Sequence, residues 1–308
     1  MQKQFTQFSE NLRLTASQEE DAKIKYDGVC SKLHSSYYTT SYDGSSKLLF
    51  GSYRTKTNVR PLTSNQDVDV LFKIPKETFE KFKAYQSNGP SSLLQEVKGH
   101  LNEKYSTTDD IKAWGKIVQI KFSDNTHNVE VLPAFELEDG TFIIPNTVNG
   151  GSWEKFNPRE QINLFQVSKV NTKGLTADLT RMIKTWVDNT SSCNYKSYKL
   201  LADVINFLNI NYKSGADYSE YSNLVKTFFE YLNSICETEI QSFVKTAYDR
   251  SSKAYLLEKE GKMIAASEEW RKVFGFDGKS EFPKATSDII KENKTRVFTN
   301  PSSPYGGN

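Results

Sequence analysis

An α+β fold in two lobes is predicted, a mixed sheet with helices first and an all-helical lobe second. Three observations predict it. Between about residues 46 and 145, short apolar runs with a period near 2 alternate with helical segments. From about 157 to 294, nearly every segment carries apolar residues at i, i+3, i+4 spacing. The length, 308 residues, suits two domains or one large bilobal one at about 150 residues per domain.

The elements follow in order. Residues 1–37 read as an N-terminal spine helix, periodic from Thr15 to about Ser36. Its apolar residues Ala22, Ile24, Val29 and Leu33 are sparse, so it is expected to lie across a surface and bridge both lobes. Residues 38–156 hold the sheet, with strands expected at 47–50, 68–72, 117–121, 129–132 and 142–144. The helical lobe, 157–294, opens with Asn157 as N-cap, Pro158 at N1 and Glu160 at N3, a capping box with proline where its missing N–H does no harm. Further helices are expected around 175–187, 198–208, 224–240 and 254–274. Residues 295–308 are rich in Pro, Ser and Gly and are expected to form a mobile tail. Trp153, Trp186 and Trp270 are expected to pack the core between the lobes.

Composition excludes several classes. Forty Lys and Arg against 38 Asp and Glu leave a net charge of +2, which argues against a polybasic nucleic-acid binder but permits a local basic cleft. Cys30, Cys193 and Cys236 are far apart, as are His34, His100 and His127, so neither a disulfide framework nor a zinc ribbon is indicated. A reduced cytoplasmic setting is expected. The polar N-terminus does not read as a signal peptide, and no apolar run approaches the ~18 residues a membrane helix needs.

The chemistry concentrates in residues 50–72. A strand ends at Gly51 and Ser52. Glycine permits close backbone approach to a ligand, and serine adds a hydroxyl donor. With the N–H groups of a following helix, this makes a phosphate cradle. Sixteen positions after Gly51, Asp67 and Asp69 stand at i and i+2 on a strand, which puts both carboxylates on one face and Val68 and Val70 on the other. Two adjacent carboxylates repel unless a cation lies between them. Oxygen ligands of this kind suit Mg²⁺, which binds one or two carboxylates plus substrate phosphates. Two-metal phosphoryl transfer needs a third carboxylate. Glu130, between Val129 and Val131 on a strand-like run, is the natural candidate; Asp109, Asp110 and Asp124 are alternatives in turn-like surroundings. Arg54, Lys56 and Arg60 either steer nucleotide or keep a loop solvated.

Gly51–Ser52, a basic turn with Arg54, Thr57 and Arg60, the pair Asp67 and Asp69, and the run from Val129 through Glu130 to Pro133, Ala134 and Phe135 together resemble the nucleotidyltransferases of the polymerase-beta superfamily. More narrowly, they resemble the cGAS/DncV-like nucleotidyltransferases (CD-NTases), which make cyclic oligonucleotide signals in bacterial anti-phage defence (CBASS). The resemblance continues through Ile144 and Pro145, Trp153, the helix from Leu179 to Trp186, Ser197 and Tyr198, and the segment from Ala265 through Trp270 to Pro283, covering about residues 15–284.

The resemblance implies a bilobal nucleotidyltransferase fold with its active-site cleft between the lobes. It implies two Mg²⁺ (or Mn²⁺) ions on Asp67, Asp69 and Glu130, and NTP substrates, ATP or GTP among them, bound through Gly51, Ser52 and Arg54. Lys184 would hold the donor triphosphate, Ser197 would hydrogen-bond it, and Tyr198 would stack on a base. The implied product is a cyclic oligonucleotide, a cyclic dinucleotide foremost, read by a downstream effector; linear oligonucleotides or transfer to RNA or a small molecule are the alternative. The flexible tail is a candidate for a C-terminal partner. Two departures stand out. The third acid is Glu130 where Asp is the commoner family choice, and no Cys/His cluster matches the zinc thumb of the animal DNA sensor, so DNA activation is not implied.

Overall fold

Residues 1–37 form two helices, where one spine helix was expected. In the computed structural model, which describes residues 1–62, 67–106, 110–124, 126–212, 220–275 and 281–286, α1 spans Gln2–Leu12 and α2 spans Ala16–Tyr37. The break is set by Thr15. Its side chain accepts from the Gln18 N–H while the Gln18 side chain accepts from the Thr15 N–H, a complete capping box that starts a new helix.

The sheet segment follows as β1 (Lys47–Leu49), α3 (Gly51–Thr55), β2 (Asp67–Lys73), α4 (Lys76–Lys83), α5 (Gly89–Lys104), β3 (Asp110–Trp114), β4 (Ile117–Lys121), β5 (Asn128–Glu136), β6 (Phe142–Asn146) and β7 (Ser152–Phe156). The helical segment is α6 (Pro158–Asn171), α7 (Leu175–Asp188), α8 (Ser197–Asn211), α9 (Tyr221–Ile235), α10 (Thr238–Lys259) and α11 (Met263–Phe274). The helix expected over 224–240 is broken at Cys236, whose backbone is extended (φ −72, ψ 156). The one expected over 254–274 is broken at Gly261, which takes φ +76.

The chain divides into two compact units, one of residues 13–178 and one of residues 1–12 with the described residues from 179 onward. These limits differ from the expected ones at 37/38 and 156/157. Helix α6 belongs with the sheet, and α1 belongs with the later helices.

In the sheet unit the strand order is β1-β2-β5-β4-β3, with β6 pairing the far end of β5 and β7 pairing β6. Strands β2 and β5 run parallel, with Asp67 opposite Asn128 and Asp69 opposite Glu130. The other pairings are antiparallel. Alternation along the strands makes two faces. Val68, Val70, Phe72, Val118, Ile120, Val129 and Val131 face one core with Val29, Leu33, Leu93 and Val97 of α2 and α5. Leu71, Leu132, Ala134, Phe142 and Ile144 form a smaller cluster on the opposite face. Full burial of each such Val, Leu, Ile or Phe side chain contributes about 1.5–3 kcal/mol.

In the helical unit α1 buries Phe5, Phe8 and Leu12 on one stripe. Phe5 meets Trp270 edge-on at 5.0 Å and Phe282 at 4.8 Å. Trp186 packs edge-on against Phe229 at 5.1 Å. Trp153 lies against Phe79 in the sheet unit. Trp186 and Trp270 thus contact rings of the helical unit, and Trp153 a ring of the sheet unit. Among the described residues, no helix is long and apolar enough to cross a membrane.

Candidate active site

The parallel β2–β5 register brings three carboxylates to one face. Asp67 and Asp69 share that face of β2, and Glu130 lies opposite Asp69 on β5. All three are partly exposed, while Val68, Val70, Val129 and Val131 between them are fully buried. The valines therefore fix which way the acids point: slipping either strand by one residue would drive the carboxylates into the core.

Gly51 stands against this face. It opens α3 at φ +61, and a Cβ there would lie 2.1 Å from Asp69 Oδ2. Only glycine allows both this backbone conformation and this approach. Ser52 follows on α3, and the Phe50 N–H donates to the Asp69 carbonyl at 3.3 Å, tying the turn to β2.

Burial pushes the Glu130 carboxyl up to about 7, and the charges of Asp67 and Asp69 add to the shift. A hydrogen bond from Gln119 opposes it. Gln119, opposite Glu130 on β4, donates through Nε2 to Glu130 Oε1 at 3.0 Å and to Asp67 Oδ1 at 3.3 Å. Sequence reasoning does not single out Gln119. A polar residue at the centre of an Ile/Val run is the visible signal, but its partners depend on the β4–β5 register.

The alternative third acids are engaged elsewhere or not described. Asp124 pairs with Lys25 at 2.6 Å. Asp110 opens β3, where a turn was expected, and pairs with Lys112 at 2.5 Å. Asp109 lies outside the described residues. The Lys25 cluster is instead an anchor: Asp21 of α2 accepts from Lys25 at 3.1 Å, Thr126 at 2.9 Å and His127 Nδ1 at 2.6 Å. Burial alone would raise the Asp21 carboxyl, but these hydrogen bonds hold it below the usual carboxylate range. They clamp the start of β5, three residues ahead of Glu130, to α2.

As placed, no three His, Cys, Asp or Glu side chains among the described residues surround a common point as metal ligands. The donor set nevertheless fits Mg²⁺ or Mn²⁺. It is all oxygen and occupies adjacent register positions, and the Asp67 and Asp69 charges that add to burial in raising the Glu130 carboxyl are a repulsion that a divalent cation relieves.

The remaining expected residues are placed as follows. Arg54 and Lys56 are exposed at the end of α3, and Lys56 pairs with Glu19 at 2.8 Å. Thr57 is buried and shares a hydrogen bond with Thr55 at 2.9 Å. Lys184 is half-buried on α7 and Arg181, one turn earlier, is buried. Ser197 opens α8 with its side chain exposed, and Tyr198 beside it is 68% exposed, so its ring is not committed to a core.

The model of the Second Messenger Oligonucleotide or Dinucleotide Synthetase domain (SMODS) matches residues 1–171, more than half of the chain and all of the carboxylate site. No curated protein matches by sequence. Solved structures match in fold. DncV of Vibrio cholerae, a cyclic AMP-GMP synthase in complex with the linear intermediate 5′ pppA(3′,5′)pG, has a TM-score of 0.67 at 13% identity, over 91% of this chain and 94% of that one. CdnC of E. coli MS115-1, in a complex with HORMA-deltaN, has a TM-score of 0.63 at 18% identity, over 89% and 96%. The STING-associated CdnE c-di-GMP synthase of Capnocytophaga granulosa has a TM-score of 0.60 at 16% identity, over 80% and 82%. At these identities the likeness to each is one of fold. With the family match over the segment that builds the acidic face, the chain belongs to the second messenger oligonucleotide or dinucleotide synthetase family and is a nucleotidyltransferase.

Proposed function

We propose that this enzyme joins NTPs into a cyclic oligonucleotide, a cyclic dinucleotide foremost, and releases pyrophosphate. The observation that carries the reading is the acidic face: Asp69 and Glu130 in register, Asp67 on the same face, and Gly51 close against Asp69. Such a face is costly to keep for stability and is suited to phosphoryl transfer. Asp67, Asp69 and Glu130 hold Mg²⁺ or Mn²⁺, which when bound supplies charge stabilisation at the phosphoryl oxygens and acidifies the attacking hydroxyl.

The rest is the work of the chain. Ser52 donates a hydrogen bond to the donor phosphates from beside Gly51, whose missing side chain lets the Asp69 carboxylate close against the turn. Within the helical unit, Lys184 and Ser197 are the residues this reading assigns to triphosphate, and Tyr198 offers an exposed ring to a base. The oxygen of an acceptor ribose hydroxyl attacks the donor α-phosphorus as its proton passes to solvent. The bond to the β-phosphate breaks, and pyrophosphate departs with the electron pair. A second round within the linear product closes the ring. Positioning and electrostatics supply the rate. The setting we infer is cytoplasmic anti-phage signalling, in which an effector binds the product. The tail from Thr295, outside the described residues, serves a C-terminal partner in this reading.

The test is incubation with all four NTPs, one labelled at the α-phosphate at a time, then phosphatase treatment and mass analysis. A cyclic product keeps every labelled phosphate and has no terminal one. A product that loses its terminal phosphate is linear, and label carried into added RNA or a small molecule identifies a transferase of the other kind; either overturns the cyclic reading.

A further inference from the structure

Gln119 occupies the centre of β4, flanked by Val118 and Ile120, which are fully buried; it is itself only 8% exposed. A buried amide in such a run is costly unless its hydrogen bonds are satisfied. Both donors found for it are spent on the acidic face: Nε2 reaches Asp67 Oδ1 at 3.3 Å and Glu130 Oε1 at 3.0 Å. The orientation of the amide follows from its partners. The ionised Asp67 carboxylate accepts only, so the nitrogen must face it, since the flipped amide would set its carbonyl against that oxygen.

The two N–H bonds of one nitrogen thus span strands β2 and β5 from β4 and tie Asp67 to Glu130. A lysine here would also bridge them, but its charge would compete with a cation. A neutral amide holds the carboxylates while leaving their charge available. Each carboxylate gives Gln119 one oxygen and keeps its second clear of that amide.

We propose that Gln119 is a positioning residue of this site: its amide sets the spacing of Asp67 and Glu130 and so raises the affinity of the acidic face for a divalent cation. The inference rests on the metal-dependent reading above. It assigns no contact with substrate to Gln119. Its effect passes through the two carboxylates, as supporting hydrogen bonds to metal ligands do elsewhere, where their loss costs about 10–100-fold in affinity or activity.

The experiment measures Mn²⁺ binding to the full chain without nucleotide, by electron paramagnetic resonance, in wild type, Gln119→Met, Gln119→Asn and Asp67→Asn/Asp69→Asn. Methionine keeps the length and removes the donors; asparagine keeps the amide but draws it back by a methylene. Both single variants are expected to weaken Mn²⁺ binding about 10–100-fold. At the metal concentration that saturates wild type, kcat falls by a similar factor and returns as Mn²⁺ is raised, while KM for NTP stays within about twofold. A lower thermal midpoint with wild-type Mn²⁺ affinity would reduce Gln119 to a structural role and overturn the proposal alone. Wild-type binding no stronger than that of Asp67→Asn/Asp69→Asn would overturn the metal-dependent reading and this proposal with it. Where Gln119→Met does not fold, Gln119→Asn decides by the same measure: weakened Mn²⁺ binding supports the proposal, and wild-type affinity overturns it.

Discussion

Val68, Val70, Val129 and Val131 are fully buried on one face of the β2–β5 pair, and Asp67, Asp69 and Glu130 stand one residue away on the other. One backbone register serves both faces. The valine face gains stability from burial. The acidic face loses some, because its carboxylates repel and Glu130 is held where ionisation is disfavoured. The difference teaches which residues answer to folding and which to chemistry, and substitutions on the two faces should separate accordingly.

The largest effect is expected on the acidic face. Asp67→Asn with Asp69→Asn keeps the shape and removes two charges, so pyrophosphate release should fall by about 10³-fold or more while circular dichroism and the melting midpoint stay near wild type or rise. Near wild-type release would show that the site lies elsewhere. Next is the cradle. Gly51→Ala puts a Cβ 2.1 Å from Asp69 Oδ2 and forces a left-handed backbone on a chiral residue. Displacing Asp69 by about 1 Å should cost about 10²-fold in turnover, measurable as initial pyrophosphate release. The opposite face should behave in the opposite way. Val131→Ala removes fully buried methyl groups, so stability should fall by about 2 kcal/mol and the midpoint by about 4–8 °C, with turnover per folded molecule unchanged within about twofold. Large catalytic loss from that change would break the separation of the faces. The smallest effect is expected at the tail. Truncation at Thr295, in the segment outside the described residues, should leave NTP turnover in vitro unchanged.

Much of this site is legible without coordinates. Asp67 and Asp69 are readable because period 2 is a local property, and the valines between them say which face is buried. Glu130 is readable for the same reason, flanked by Val129 and Val131. Their meeting at one register is not, because a parallel pair joined through α4, α5, β3 and β4 is set by packing at long range. Gln119 escapes for that cause: its role exists only through Asp67 and Glu130 across two strand boundaries. The helix breaks at Thr15, Cys236 and Gly261 are hidden differently. Apolar periodicity runs through such points, and only the capping and backbone angles reveal the stop. Asp110 reads as a turn residue because β3, with Lys112 and Trp114 outward, is an edge strand with little apolar pattern.

The most direct test is Glu130→Gln, measured for turnover and for metal-free stability on one preparation. The folded Glu130 carboxyl titrates at about 7 against 4.5 for an unperturbed glutamate. A raised carboxyl contributes stability that is fully present below about pH 4.5 and lost as pH rises through about 7. At pH 8 the ionised side chain therefore destabilises the metal-free wild type, by about 1 kcal/mol once its partial solvent exposure is discounted. Glutamine removes that penalty and flattens this part of the pH profile. Opposite movements are expected at pH 8: pyrophosphate release falls by about 10³-fold with NTP affinity by calorimetry little changed, while the metal-free midpoint rises by about 2–4 °C. Wild-type turnover in Glu130→Gln, or a fall in both turnover and midpoint, would contradict the assignment of Glu130 to the acidic site.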